Sequence, residues 1–264
     1  MVKIIYTIAL LISGVVFLSA QNEFQPHSVD SGNKGIIYNQ EFAIGVKIHT
    51  NGFAIGLDLG KLKSYNKTTF LHFDIGEIHH PKETRQSFDF PSTITGKVSK
   101  AFKFGKRNNF YVLRAGLGKK RYFSEKAKRK GAAIGITYEG GFSLGLLKPY
   151  YLELFPVDGS PNSLPVSTKY SKENHDRFTD IFQIYGASGF TKGLSELSPV
   201  PGIHGSLAVH FDWGAFDEYL KALEVGVMLD FFTEKVPIMV EVDDIENNPY
   251  FINFFVNIQF GKRY

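Results

Sequence analysis

The chain alternates apolar residues with polar or small residues over many short segments. The apolar face of the first segment comprises Phe42, Ile44, Val46 and Ile48. Because successive side chains of a strand point to opposite faces, this period of two predicts β-strands. Asn51-Gly52 follows this segment and is the dipeptide that best fits a two-residue hairpin turn. The same pattern predicts about ten strands, in the segments 42–48, 53–59, 71–75, 93–104, 111–117, 134–146, 150–155, 207–211, 225–231 and 252–260.

The predicted connections fall into a short set and a long set. The short turns are 64–67, 105–109, 148–149 and 212–221, and the long loops are 79–91, 119–131, 156–201 and 233–248; the turn at 50–52 is a short exception in the second set. Short turns at one end and long extracellular loops at the other are typical of outer-membrane barrels. An even strand count also returns both chain ends to one side.

The composition of the second face separates a membrane barrel from a soluble one. A soluble lipocalin-like barrel also alternates, but it places its polar face in water. Here the second face is rich in Gly, Ala and Ser, which suits the crowded lumen of a narrow barrel. The apolar face consists mostly of Leu, Ile, Val and Phe, which suits hydrocarbon. The sequence therefore predicts an all-β, closed antiparallel up-and-down transmembrane β-barrel of about ten strands, within a range of about 8–12.

Ionisable residues are scattered along the predicted lumen face. They are Lys47, Asp58, His72, Asp74, Arg114, Glu139, His210, Glu224 and Asp230. Buried charges need compensation, so we expect a pairing network that fills the lumen. The alternative is a selectivity path or a proton-linked site.

The first residues read as a targeting segment. Lys3 precedes an apolar run that ends at Ser19-Ala20, which predicts a signal peptide over residues 1–20 and a single barrel domain over 21–264. A membrane anchor is the alternative, although the run is shorter than the about 20 apolar residues that span a bilayer. The last strand alternates down to the terminal Tyr264, like the signal that barrel assembly machinery recognises.

Composition excludes several functions. The net charge of +4 is too small to indicate a nucleic-acid partner, and the absence of Cys excludes thiolate chemistry. No nucleotide-binding loop and no Ser-His-Asp constellation is visible, so we expect no catalytic residues, no cofactor and no metal site.

Four fragments carry a family resemblance: HHPKE (79–83), LRAGLG (113–118), SLGLLKPYYLEL (143–154) and KALEVGVMLDFF (221–232). The chain resembles small outer-membrane β-barrel proteins of the Bacteroidota. The resemblance implies this fold and integral insertion in the Gram-negative outer membrane. It brings no assigned activity.

The predicted loops contain further candidate residues. A basic run comprises Lys119, Lys120, Arg121, Lys126, Lys128, Arg129 and Lys130. On an outward loop these residues would meet the phosphates of lipopolysaccharide; a solvated charge run is the alternative. His79 and His80 with Glu83 could serve an outward active site, but a polar surface loop is the simpler interpretation. The length of 156–201 favours a functional loop.

We therefore expect a non-enzymatic outer-membrane barrel, structural or accessory, which displays loops to lipopolysaccharide or to an envelope protein complex. The alternatives are an outward-facing hydrolase or lipid-modifying enzyme and a narrow passive channel.

Overall fold

The computed structural model describes residues 38–64, 66–88, 98–124, 132–156, 164–214, 218–242 and 245–264. The predicted signal peptide lies outside the described residues. No helix in these segments is long and apolar enough to cross a membrane.

Eight long antiparallel strands form a closed barrel. They are β1 (Gln40–His49), β2 (Gly52–Ser64), β3 (Lys67–Ile78), β6 (Asn108–Tyr122), β7 (Ala133–Pro149), β11 (Ser198–Asp212), β12 (Tyr219–Phe232) and β13 (Tyr250–Arg263). Each strand pairs with the next barrel strand along the chain, and β13 pairs with β1 from Glu41–Arg263 to His49–Phe255. That last ladder leaves the sheet without a free edge.

The barrel has its apolar face outside and its polar face inside. Outward side chains include Leu117, which is 71% exposed, and Phe142, which is 78% exposed. Inward positions between them are buried and mostly small, polar or charged. Gly118 shows why small residues are needed, because a Cβ there would lie 2.1 Å from the ring of Phe70. The predicted orientation of both faces is confirmed.

The strand count differs from the expected value of about ten: the wall has eight strands. Two predicted strands are not part of it. Residues 150–155 contribute β8 (Tyr151–Leu154), and the described part of 93–104 contributes β5 (Phe102–Lys103). A transmembrane strand needs about 9–11 residues, so these segments are too short to cross. Both lie in the connections instead.

The two ends of the barrel differ. One end carries the first residue of β1, the last residue of β13, the turn at 65–66 and the connections 123–132 and 213–218. The other end carries the short turn at 50–51 and three long connections, 79–107, 150–197 and 233–249. The expectation that 119–131 lies with the long loops is wrong. Because the predicted strand 93–104 is not part of the wall, β6 runs in the opposite direction to the one expected, and this segment falls at the other end.

The long connections contain their own small sheets. β4 (Arg85–Gln86) pairs with β5, while β8 pairs with both β9 (Val166–Lys169) and β10 (Ile184–Ala187). A four-residue helix α1 (His175–Phe178) and two 3₁₀ turns, Ile181–Gln183 and Leu194–Glu196, complete them. A buried cluster unites these elements: Phe102, Leu152, Leu154, Phe178, Ile184 and Val240. We call this body the loop module.

An apolar plug closes the barrel below the loop module. We define the plug as Val236, Ile238 and Met239, which the connection 233–249 folds onto the inward apolar residues at this end. Asn247 holds it, since its side chain accepts from Met239 N and donates to Met239 O. Asn108 of β6 donates to Pro237 O at 2.7 Å. The chain thus covers its own lumen at the long-loop end.

Replacing a large side chain beneath the plug should destabilise the barrel. Phe232 is fully buried and contacts the rings of Phe110 and Phe251 at centroid distances of 5.0 and 6.1 Å. Phe232→Ala should lower the free energy of unfolding by about 3–5 kcal/mol, because it leaves a cavity. Urea titration of the folded protein in detergent measures this. Phe231→Ala on the outward face should cost less than half as much, and equal costs would contradict the assignment of faces.

Candidate functional site

Arg114 joins three strands at the centre of the lumen. Its Nε and Nη2 donate to the two carboxylate oxygens of Asp230 at 2.7 and 2.9 Å, and its Nη1 donates to Asp74 at 2.9 Å. The Arg114 side chain is 1% exposed. Bidentate pairing fixes the guanidinium plane as well as its position. This contact connects β3, β6 and β12 across the barrel.

Lys47 and His72 extend the central cluster. Lys47 Nζ lies 3.2 Å from Asp74 Oδ2 and 3.7 Å from Glu139 Oε1. His72 places Nε2 at 3.1 Å from Asp74 Oδ2 and Nδ1 at 2.5 Å from Asp58 Oδ1. A neutral imidazole has a single N–H and can donate to only one carboxylate. The contact geometry therefore fits an imidazolium that donates to both.

Glu224 is the centre of a second cluster, nearer the chain termini. Oε1 accepts from Thr137 Oγ1 at 3.0 Å and contacts His210 Nδ1 at 3.0 Å. Oε2 accepts from Asn257 at 2.8 Å and from Gln259 at 3.1 Å. The buried carboxylate of Glu224 is thus compensated by a neutral hydroxyl and two neutral amides as well as by the histidine.

A third group of contacts closes the end with the chain termini. Arg263 of β13 donates to Glu41 at 2.8 Å and to Asp212 at 2.6 Å. Tyr122 also donates to Asp212, at 3.1 Å. Lys120 Nζ lies 3.3 Å from Glu41 and 3.6 Å from Asp58, which connects this group to the central cluster.

These side chains leave little free volume. The cavity among Lys47, His72, Glu139, Glu224 and Asn257 has a volume of about 10 Å³. That volume corresponds to roughly one water molecule. The lumen around these clusters is therefore filled, mainly by polar side chains that bind one another.

All nine predicted lumen residues lie inside the barrel and take part in these contacts. Sequence reasoning missed others of equal weight: Glu41, Lys120, Tyr122, Thr137, Asp212, Asn257, Gln259 and Arg263. The signal was available, because the alternation of β6 continues past Gly118 to Lys120 and Tyr122.

The described residues of the basic run lie in β6 and not in a long loop, where the lipopolysaccharide site was predicted. Lys120 points into the lumen and is 1% exposed, which corrects its assignment to a loop. Lys119 and Arg121 are exposed on the outward face, at the barrel end that carries the chain termini. Lys126, Lys128, Arg129 and Lys130 lie outside the described residues.

The two candidate loop histidines, His79 and His80, contact different partners, and so does His175 of the loop module. His79 Nε2 lies 3.2 Å from Glu77, His80 Nε2 contacts the backbone oxygen of Glu246, and His175 Nδ1 contacts the Tyr170 hydroxyl. Among the described residues there is no cluster of three or more His, Asp or Glu side chains with the geometry to hold a metal ion.

Glu83 instead anchors two lysines beside the plug. Lys106 is fully buried, and its Nζ lies 2.9 and 3.0 Å from the Glu83 oxygens; Lys103 pairs with the same carboxylate. Burial lowers the pKa of Lys106 to about 8, against the opposing pull of Glu83. Burial alone would raise the pKa of Glu83, but the two ammonium groups hold that pKa below its ordinary value. The cluster joins the two ends of the connection 79–107, and Lys106 forms an isolated β-bridge with Met239 of the plug.

Comparison with known proteins gives structural neighbours only. No family model and no curated protein matches the chain. Neisserial surface protein A (NspA) aligns with 86% of this chain and 95% of its own, at 7% identity and a TM-score of 0.39. The N-terminal β-barrel domain of Pseudomonas aeruginosa OprF aligns with 86% of this chain and 98% of its own, at 9% identity and a TM-score of 0.34.

Removing one charge of the central pair should be costly. Asp230→Asn leaves Arg114 without its bidentate partner inside a closed barrel, and breaking a buried pair costs about 3–5 kcal/mol. We expect a loss of this size in the free energy of unfolding, measured by urea titration. Glu234→Gln, at an exposed position, is the control and should change stability little. Equal values for both variants would contradict the network.

The Lys106 cluster should make stability rise with pH above about 8. Between pH 8 and the ordinary lysine pKa of 10.5, the unfolded chain holds a proton that folded Lys106 has lost. Folding is therefore favoured as pH rises through this window.

Lys106→Met removes this dependence, so the stability of the wild type relative to this variant should increase from pH 8 to pH 10. Unfolding titrations at intervals across pH 6–10 measure the difference. From pH 6 to 7 the two profiles should run parallel. Parallel profiles over the whole range would show that Lys106 is not perturbed.

Proposed function

We propose that the chain is an integral outer-membrane β-barrel with a structural or accessory, non-enzymatic role, which anchors the loop module at the cell surface. The observation that carries this proposal is the apolar belt around a closed sheet. Every barrel strand contributes outward apolar residues to this belt, as Ile44, Phe53, Phe73 and Leu117 illustrate on the first four strands.

The belt favours a lipid environment over water. Soluble monomers rarely expose contiguous apolar patches larger than a few hundred Å². Here the apolar side chains continue through β7, β11, β12 and β13, with Phe142, Leu207, Leu229 and Phe254 each more than half exposed. In hydrocarbon each backbone N–H and C=O must be paired, and the ladder between β1 and β13 meets that requirement over nine residue pairs.

The unequal connections support an orientation. In barrels of this type the longer connections are extracellular and the shorter turns are periplasmic. The loop module and the plug would then face outward, while Lys119 and Arg121 would lie on the periplasmic side. Lipopolysaccharide occupies the outward leaflet, so in this orientation Lys119 and Arg121 would not contact it.

A filled lumen favours an anchor over a pore. The ion-pair clusters occupy the middle and the terminus end of the barrel, and the plug covers the other end. The loop module has its own buried core, so it presents a fixed surface. A fixed surface is suited to contact with another envelope protein, and such contact is the accessory role that we propose for this chain.

A charge placed in the belt tests membrane insertion. Phe142 lies in the middle of β7 on its outward face. Phe142→Arg should cost about 2–4 kcal/mol for a protein folded in lipid vesicles, because arginine at the bilayer midplane is unfavourable. Urea titration in vesicles measures this cost.

Ile134→Arg is the matched control, since Ile134 lies on the same face near the end of the same strand. We expect a cost of only about 0–1 kcal/mol there. A belt that faces water would make the two variants equal and would overturn the proposal.

Planar-bilayer recordings of the wild type should show no discrete conductance steps, because the lumen is filled. Discrete steps would contradict the filled lumen.

A further inference from the structure

The barrel wall is lower at the hairpin between β1 and β2 than elsewhere at the long-loop end. The ladder between β1 and β13 ends at His49–Phe255, and Thr50 N donates to Phe254 O just beyond it. β13 begins five residues earlier than Phe255, at Tyr250. Residues 250–253 therefore pair with β12 on one side and face no strand on the other, within the described residues. We call this gap the notch.

A cavity of about 230 Å³ opens at the notch. Its floor is apolar and comprises Val236 and Ile238 of the plug together with Phe251. Its rim is polar and includes Asn51 and Asn248. The cavity thus has an apolar interior and a polar entrance on the side of the loops.

The cavity is continuous with the lipid-facing belt. Ile252 and Tyr250 also line it, and both are outward side chains of β13 that are more than half exposed. Phe251, between them, points inward onto the plug. A molecule in the bilayer can therefore reach the floor sideways, past Ile252, without crossing the loop module.

At the notch, backbone groups of β13 need a polar partner at the level of residues 250–252. Since Phe254 O faces β1, the backbone groups of Ile252 and Tyr250 face the same side. Strand groups that lack a partner are costly in hydrocarbon. The polar head of an amphiphile at the rim would supply partners for these backbone groups, and its hydrocarbon chain would cover the apolar floor.

We propose that this cavity binds one hydrocarbon chain of an amphiphile that enters laterally from the bilayer. A cavity of about 150 Å³ lined by aliphatic and aromatic side chains suffices to bind benzene. The larger volume here accommodates a longer stretch of an acyl chain. Val236, Ile238 and Phe251 would contact the chain, and Asn51 and Asn248 would contact the head. This inference rests on the proposed membrane insertion.

Photolabelling in vesicles tests the inference. The probe is an acyl chain with a diazirine at its end, supplied in one arm as a free fatty acid and in the other within a phospholipid. Adducts are located by peptide mass spectrometry. We expect peptides containing 236–238 and 250–252 to be labelled severalfold more than the belt peptide containing Phe142. Enrichment in either arm supports the proposal, and the stronger arm identifies the source of the chain.

Asn248→Trp fills the cavity from its rim and should reduce labelling of 236–238 severalfold, while labelling at Phe142 stays unchanged. Lys235→Trp, an exposed position in the same connection that does not line the cavity, should label like the wild type. If the belt is labelled but the cavity peptides are not enriched, or if Asn248→Trp has no effect, the inference is wrong. Absence of labelling at Phe142 as well would overturn the proposed membrane insertion itself.

Discussion

The ladder between β1 and β13 is the constraint from which the other features follow. It pairs nine residues of the first strand with the last strand and so removes the edges that a sheet of eight strands would otherwise expose. Closing so few strands leaves an interior only wide enough for side chains. The inward positions must then be either very small, as at Gly118 beside Phe70, or long and mutually paired, as at Arg114 and Asp230.

The interior is filled in two chemically different ways along its length. Towards the chain termini and the centre, charged and amide side chains bind one another; towards the long loops, aromatic and aliphatic residues meet the plug. Buried ion pairs contribute little net stability, because desolvation offsets most of the Coulomb attraction. They do penalise any register shift, since a one-residue slip would move Arg114 and Asp74 to the outward face. The apolar end supplies the packing energy, and the polar clusters specify the register.

Much of this arrangement could be predicted from the sequence, because a period of two assigns every residue of a strand to a face. The positions of Lys47, Asp58 and Arg114 follow directly from that assignment. The strand count did not follow, because alternation in Tyr151–Leu154 resembles a wall strand although the segment is too short to cross. A different error, ending the predicted strand at Leu117, placed Lys120 in a loop, where its charge suggested an anion site. Pairing across the lumen, such as Glu41 with Arg263, depends on closure and has no local signal.

The lower wall at the first hairpin follows from its short turn. The turn at 50–51 is short, whereas the other three connections at that end are long. Gly52 permits the close return of the chain, since its φ is +150° and a Cβ there would lie 2.0 Å from Glu77 O. The neighbouring connection 233–249 can then reach over the low point and place Val236 and Ile238 beside the outward Ile252. A single tight turn thereby brings the plug, which covers the lumen, into contact with the outward apolar surface of the wall. The barrel is covered along its axis, and the cavity beside the plug opens at its side.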